Sequence, residues 1–157
     1  MQKIVTCIWF DGHVQEALDL YTSLLPDSRV LEVSRYAADA QRPAGEILSA
    51  RFTMHGQEFM LLNGGPGFPH SEAMSLQIFC ETQEEIDRLW TRLTEGGRES
   101  RCGWLVDRYG VHWQIIPSVL GLWMADPDPE RARRVTEAML GMVKLDIAAL
   151  QRAYRGE

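Results

Sequence analysis

An internal echo constrains this chain more than any other feature of it. Gly56-Gln57-Glu58-Phe59-Met60-Leu61-Leu62 lies over Gly110-Val111-His112-Trp113-Gln114-Ile115-Ile116, so that glycine meets glycine, Phe59 meets Trp113 and apolar pairs follow. What precedes each copy repeats the same order of elements. Lys3 to Phe10 is rich in Ile, Val, Trp and Phe and is closed by Asp11-Gly12, which predicts a strand. Val14, Ala17, Leu18, Tyr21 and Leu25 then recur at helical spacing up to Pro26. Ser28 to Tyr36 reads as a strand, Ala37 to Gly45 as a polar loop, and Glu46–Thr53 with Gln57–Leu62 as a hairpin across His55-Gly56. In the second half Ser75 to Cys80 is a strand. Thr82 to Thr94 is a helix opened by the capping box Thr82-Gln83-Glu84-Glu85 and stopped by Gly96-Gly97. Arg98–Cys102, Gly103–Asp107 and Val111–Ile116 supply three strands, the last two joined by a tight turn at Asp107 to Gly110. Glu16–Tyr21 matches Glu85–Trp90 in apolar pattern, with Leu18 meeting Asp87, and the same offset pairs Phe10 with Phe79 and Ile8 with Gln77.

The expected class is therefore α+β: two βαβββ modules, 3–63 and 73–117, making one domain over 1–117. Asn63-Gly64-Gly65-Pro66-Gly67-Phe68-Pro69, the sharpest turn chemistry in the chain, is the natural linker between them. Residues 118–157 read as a helical extension. Asp128-Pro129-Glu130 supplies an N-cap, a first-turn proline and an early carboxylate, and Val135, Ala138, Met139, Met142 and Val143 form an apolar stripe. A second helix follows from Asp146 through Ile147, Leu150 and Tyr154. The stripe must be covered, either by the chain's own domain or across a homodimer interface.

A net charge of -6 and a pI near 5.2 argue against nucleic acid as a partner, because attraction to phosphate needs a basic surface. Arg131, Arg133 and Arg134 are the one dense basic group and read as a solvated helix face. No apolar run is long enough for membrane insertion, and Met1-Gln2-Lys3-Ile4 lacks a signal-peptide pattern, so a cytoplasmic protein is expected. Cys7, Cys80 and Cys102 have no C-x-x-C spacing and read as free structural thiols.

Trp9-Phe10-Asp11-Gly12, Glu16-Ala17, Leu62-Asn63-Gly64-Gly65-Pro66, Ser75-Leu76-Gln77, Glu85-Ile86-Asp87, Cys102-Gly103-Trp104, Asp107 to Val111, Trp113 to Pro117 and Met142 to Ile147 together carry a resemblance over nearly the whole chain. With the doubled module, they make it similar to the vicinal oxygen chelate superfamily, which includes glyoxalase I, extradiol dioxygenases and bleomycin-resistance proteins. More narrowly it resembles the PhnB-like proteins, also labelled a 3-demethylubiquinone-9 3-methyltransferase domain. The resemblance implies curved sheets forming a half-barrel or cleft, and four metal-ligand positions on the first and last strands of the two modules. Through the overlay these fall on Ile8, Met60, Gln77 and Gln114. Two apolar side chains and two neutral amides make a poor ligand set, so no metal is expected, although a one-residue slip would bring in Cys7 or Glu58. The label implies adenosylmethionine. Asn63 to Gly67 follows a strand, but it continues as loop rather than opening a helix, so it reads as a linker and not a cofactor loop. No cofactor is expected, with adenosylmethionine or a divalent metal as alternatives.

Strand alternation puts His112, Gln114 and Ile116 on one face, with Val111, Trp113 and Ile115 on the other. One reading is a small-molecule pocket in which Gln77 and Gln114 hydrogen-bond a polar group, Ser75 sharing their face, while Met60, Ile8 and Phe10 touch apolar parts. The other is a paired-amide network closing a filled barrel. His112 is either a general base or a strand histidine satisfied by its neighbours. Asp107 reads as a turn residue and Cys102 as a structural thiol. Cys7 and Cys80 are expected in the core, as are Trp9, Trp90 and Trp113, while Trp104 and Trp123 are expected to line the cleft or an interface. Three functions remain open: a metal-free small-molecule binding protein; an enzyme, either a methyltransferase or a metal-dependent isomerase or oxygenase; and an interaction module acting through its helical tail.

Overall fold

β-Branched and aromatic runs separated by glycine turns build the same sheet twice. The structure, a computed structural model, describes residues 2–37 and 42–157, so the loop expected over 37–45 lies partly outside the described residues. The chain divides into two compact units, Met1–Pro69 and His70–Glu157.

The first unit runs β1 (Thr6–Phe10), α1 (Val14–Thr22), β2 (Arg29–Arg35), β3 (Ile47–Met54) and β4 (Gln57–Asn63). Its sheet has the order β1-β4-β3-β2, with β1 parallel to β4 and the other pairs antiparallel. α1 buries Val14, Ala17, Leu18 and Tyr21. Tyr21 stacks on Phe52 and Phe52 on Phe59, at centroid distances of 6.3 and 5.6 Å, while Phe10 meets Tyr21 edge-on at 6.4 Å. Each such buried side chain contributes about 1.5–3 kcal/mol by leaving water. One face of the sheet is thereby committed to the helix.

The second unit runs β5 (Leu76–Cys80), α2 (Gln83–Thr94), β6 (Arg98–Glu99), β7 (Trp104–Val106) and β8 (His112–Pro117), then α3 (Leu120–Met124), α4 (Pro129–Leu140) and α5 (Ile147–Arg155). The sheet order is β5-β8-β7-β6. α2 buries Ile86, Leu89, Trp90 and Leu93. Thr82 caps it by accepting from the Glu85 N–H at 3.2 Å, while the Glu85 carboxylate accepts from the Glu81 N–H at 3.0 Å, one residue further out than a capping box reaches. β6 is shorter than the expected Arg98–Cys102. Cys102 (φ 57°) and Gly103 (φ 82°) instead form a turn closed by the Trp104 N–H donating to Arg101 O at 3.0 Å. The buried Asp107 carboxylate accepts from the N–H groups of Tyr109 (2.9 Å) and Val111 (3.0 Å) and from Trp113 Nε1 (2.9 Å). It makes the turn and also anchors the tryptophan beneath α2.

The helices after β8 pack within this unit. Ile116, Leu120, Val135, Leu145 and Leu150 form their core, with Trp123, Ala138, Met139, Met142 and Tyr154 against it. α3 was not expected: it is five residues long and no side chain caps it. Trp123 stacks on Tyr154 at 5.5 Å and belongs to this cluster, not to a cleft. Val143 is exposed, because α4 stops at Leu140 and the apolar stripe does not run past it. Arg133 is solvated beside Glu130 and Glu137, but Arg134 donates to the carbonyls of Ala153 and Tyr154 at the end of α5, so the arginine group is not one solvated face. Among the described residues no helix is long and apolar enough to cross a membrane.

The duplication is closer than the overlay put it. Cys7 lies opposite Met60 on β1 and β4, and Gln77 lies opposite Gln114 on β5 and β8. With Met60 laid over Gln114, the partner of Gln77 is Cys7, one residue from the expected Ile8. Burial agrees: Ile8 and Phe10, like Ile78 and Cys80, are buried, whereas Cys7 and Gln77 are exposed. The helices keep the expected offset, with Ala17 over Ile86 and Tyr21 over Trp90. Asp11-Gly12-His13 joins β1 to α1 where only Glu81-Thr82 joins β5 to α2, and this extra residue produces the slip.

Two outcomes follow from these contacts. Asp107→Ala strands three donors, two of them buried, and should cost about 3 kcal/mol in urea unfolding; a loss below ~1 kcal/mol would contradict the anchor role. Burial, with Glu85 adding to it, pushes the Cys80 thiol up to about 12. Alkylation followed by mass spectrometry should therefore find Cys7 modified in the folded protein and Cys80 only after unfolding, and equal rates would refute the register described above.

Candidate functional site

The face of the second sheet turned away from α2 carries a row of three aligned side chains. Trp104 on β7 lies opposite Gln114 on β8, and Gln114 lies opposite Gln77 on β5. Strand partners in register point to the same side, so the three stand abreast. Gln77 Nε2 donates to Gln114 Oε1 at 2.9 Å, and Gln114 Nε2 donates to Ser75 Oγ at 2.8 Å. Gln77 is exposed, whereas Gln114, Ser75 and Trp104 are half-buried. A primary amide carries two N–H donors and an acceptor oxygen. The two bonds therefore leave the Gln77 carbonyl, one N–H of each amide and the serine proton uncommitted by the row.

His112 shares the parity of Gln114 but is buried, opposite Val106 at the far end of β8. It does not stand in the exposed row. Met60 takes the place of Gln114 in the first sheet, and is half-buried there between Cys7 on β1 and Arg51 on β3. Arg51 is held by Glu32 at 3.1 Å and Glu58 at 3.0 Å. The hydrogen bond from Arg51, with one from the Gln2 N–H, holds the Glu58 carboxyl below its ordinary range. Ile8 and Phe10 leave the site altogether, because both point into the core. Cys7 replaces them, on the exposed side rather than in the expected core. Counting back from either helix cap returns Ile8 again, because the extra residue lies between β1 and the cap; only the strand register identifies Cys7.

These residues do not fit a divalent metal. The four strand positions hold Cys7, Met60, Gln77 and Gln114; the two amides are bonded to one another, and a thioether is a soft, weak donor. Partial desolvation raises the Cys7 thiol above its ordinary value, which keeps it protonated near neutrality. Among the described residues no group of three or more His, Cys, Asp or Glu could hold a metal. The glycine loop does not fit adenosylmethionine either. The N–H groups of Gly64 and Gly65 both donate to Phe10 O, at 3.0 and 3.2 Å, and Trp9 Nε1 donates to Gly65 O at 2.7 Å. A Cβ on Gly64 would fall 2.1 Å from the Trp9 ring, so this glycine exists to admit an indole, not a phosphate or a carboxylate.

A cavity of about 580 Å³ lies elsewhere, in the first unit at the start of α1, where no motif announced it. Asp11, His13, Glu16, Arg35, Arg42, Glu46 and Asn63 are among its walls. Its charges answer one another: Arg42 bonds Asp11 and lies 3.8 Å from Glu46, and Arg35 donates to Gly45 O at 2.8 Å. Asn63 accepts from the Gly12 N–H at 2.9 Å and donates to Ile47 O at 3.0 Å. These pairings clasp the β1–α1 turn to the strands beside it.

The model of the family described as 3-demethylubiquinone-9 3-methyltransferase matches residues 2–116. The PhnB protein from Bacillus cereus is 38% identical, covers 74% of this chain and 99% of its own, and superposes with a TM-score of 0.70. A Pseudomonas aeruginosa protein of solved structure is 23% identical over 74% of this chain and 98% of its own, with a TM-score of 0.60. The fosfomycin resistance protein FosX from Mesorhizobium loti, 12% identical over 80% of this chain and all 100% of its own, shares the fold at a TM-score of 0.54. No curated protein matches the chain at a significant level. By its doubled module and its matched sequence, the chain belongs to the PhnB-like, 3-demethylubiquinone-9 3-methyltransferase family.

Proposed function

We propose that this chain binds a small uncharged molecule on the exposed face of its second sheet, without a metal. The observation that carries this reading is the relay from Gln77 to Gln114 to Ser75 in register with the half-buried Trp104. The relay orients two amides that still hold unspent donors and an acceptor, and an aromatic side chain stands beside them. A flat ligand with a donor and an acceptor on one edge, such as a carboxamide or lactam, matches that set. A carboxylate matches it poorly, since no cation stands in the row. The family description names a methyltransferase. The glycine loop does not favour adenosylmethionine, because the Gly64 and Gly65 amides are already spent on Phe10.

Calorimetry with benzamide and benzoate tests the reading. Benzamide should bind with a Kd on the order of 1 mM, the scale for a fragment of that size, and benzoate at least ~10-fold more weakly. Gln114→Leu should weaken benzamide by about tenfold, the effect of removing both relay bonds and a ligand contact. Equal binding of the two probes, or no change in Gln114→Leu, would defeat the proposal. A saturable heat with adenosylmethionine would support the methyltransferase description instead.

A further inference from the structure

The family match ends at residue 116, so α3, α4 and α5, and with them the Met142 to Ile147 stretch expected to share the resemblance, lie beyond the matched residues. They nonetheless reach into it at one place. The Cys102 N–H donates to Met142 O at 2.9 Å and the Gly103 N–H to Val143 O at 2.8 Å. On its other side, Gly103 O accepts from the Ile115 N–H of β8 at 2.8 Å. The turn at Cys102-Gly103 is thus held between β8 and the link from α4 to α5. A Cβ on Gly103 would meet Ile115 O at 2.9 Å and the Leu145 side chain at 3.0 Å, which leaves no slack on either side.

This turn needs outside support. Cys102 sits at φ 57°, a left-handed conformation unfavourable for a residue with a Cβ. The hairpin it closes is short, since β6 pairs with β7 through only Arg98–Val106 and Glu99–Leu105. The link that supports it is itself pinned to α2. The Gln83 side chain donates to Leu145 O at 3.1 Å and accepts from the Ile147 N–H at 2.9 Å, and Lys144 Nζ lies 2.6 Å from the Asp87 carboxylate. The next residue after the turn is Trp104, the aromatic member of the row.

We infer that the extension is a clamp, with Gln83 as its fastening, that fixes the Cys102-Gly103 turn and thereby sets the position of Trp104 at the ligand face. Gln83 and Leu145 are positioning residues, and neither belongs to the row. The consequence for ligand binding rests on the function proposed above; the consequence for Trp104 itself does not.

Amide exchange and fluorine NMR of the full-length chain, labelled with 5-fluorotryptophan, decide the matter. The Trp104 resonance is assigned from a Trp104→Phe sample. In Gln83→Ala, exchange at the Cys102 and Gly103 amides should rise roughly tenfold, the scale of one or two lost hydrogen bonds, and the Trp104 resonance should shift or broaden while that of Trp9 stays put. Leu18→Ala, which weakens the core under α1 in the other unit, serves as the control and should leave both signals of the second unit unchanged. Unchanged exchange in Gln83→Ala, a rise of the same size in Leu18→Ala, or faster exchange with an unmoved Trp104 resonance would each overturn the clamp. Benzamide affinity should fall about threefold or more in Gln83→Ala. If benzamide fails to bind the unmodified chain, the ligand reading falls, and the Trp104 resonance still decides the clamp. If benzamide binds and Gln83→Ala leaves its affinity unchanged, the clamp has no hold on the ligand face and the inference fails.

Discussion

Parallel strands in register carry their side chains in step, so the pairing of a first strand with a last strand settles both faces of a module together. In the second unit the register of β5 on β8 places Gln77 beside Gln114. The same register sends Ile78 and Ile115 under α2. The buried side of this arrangement is strongly enforced, since a slip of one residue would turn Ile78 and Cys80 outward and Gln77 inward. The exposed side then follows without any energetic requirement of its own. An amide pair can persist there because burial of its neighbours holds it in place. The same logic operates in the first unit, where the register of β1 on β4 buries Ile8 and Phe10 and leaves Cys7 beside Met60.

Most of the fold was legible because its signals are local and redundant. Hydrophobic period, glycine stops and caps such as Thr82, Asp128 and Asp146 each mark an element, and the doubling supplies a second reading of every one. What escaped was set by geometry the pattern does not carry. The longer β1–α1 connection displaced Ile8 and Phe10 from the candidate face and brought Cys7 onto it. The Cys102-Gly103 turn shortened β6 because its two residues adopt positive φ, which a glycine permits and a cysteine does not advertise. α3 has neither a capping side chain nor a full second turn to announce it. Of the candidate residues, Gln77 and Gln114 came from the ligand positions that the resemblance implies and Trp104 from its polar indole edge, and the strand register aligns the three on one face. Parity put His112 on their side, but it could not foresee that this histidine would be buried.

The chemistry of the exposed row does not suit a divalent metal. A metal site needs anionic or imidazole donors aimed at one point. Here the strand positions offer two neutral amides bonded to one another, a thioether and a protonated thiol. The amide relay suits a ligand recognised by shape and by hydrogen bonds. The helices beyond the matched residues act on the same row through backbone bonds to the turn that delivers Trp104.

Metal analysis of protein purified from its native host, without chelators or affinity metals, tests the amide-based site most directly. The account predicts less than about 0.1 equivalent of nickel, zinc, iron or manganese per chain, because neutral amides cannot compete with water for these ions. A stoichiometric metal that is lost in Gln77→Ala or Gln114→Ala would contradict it.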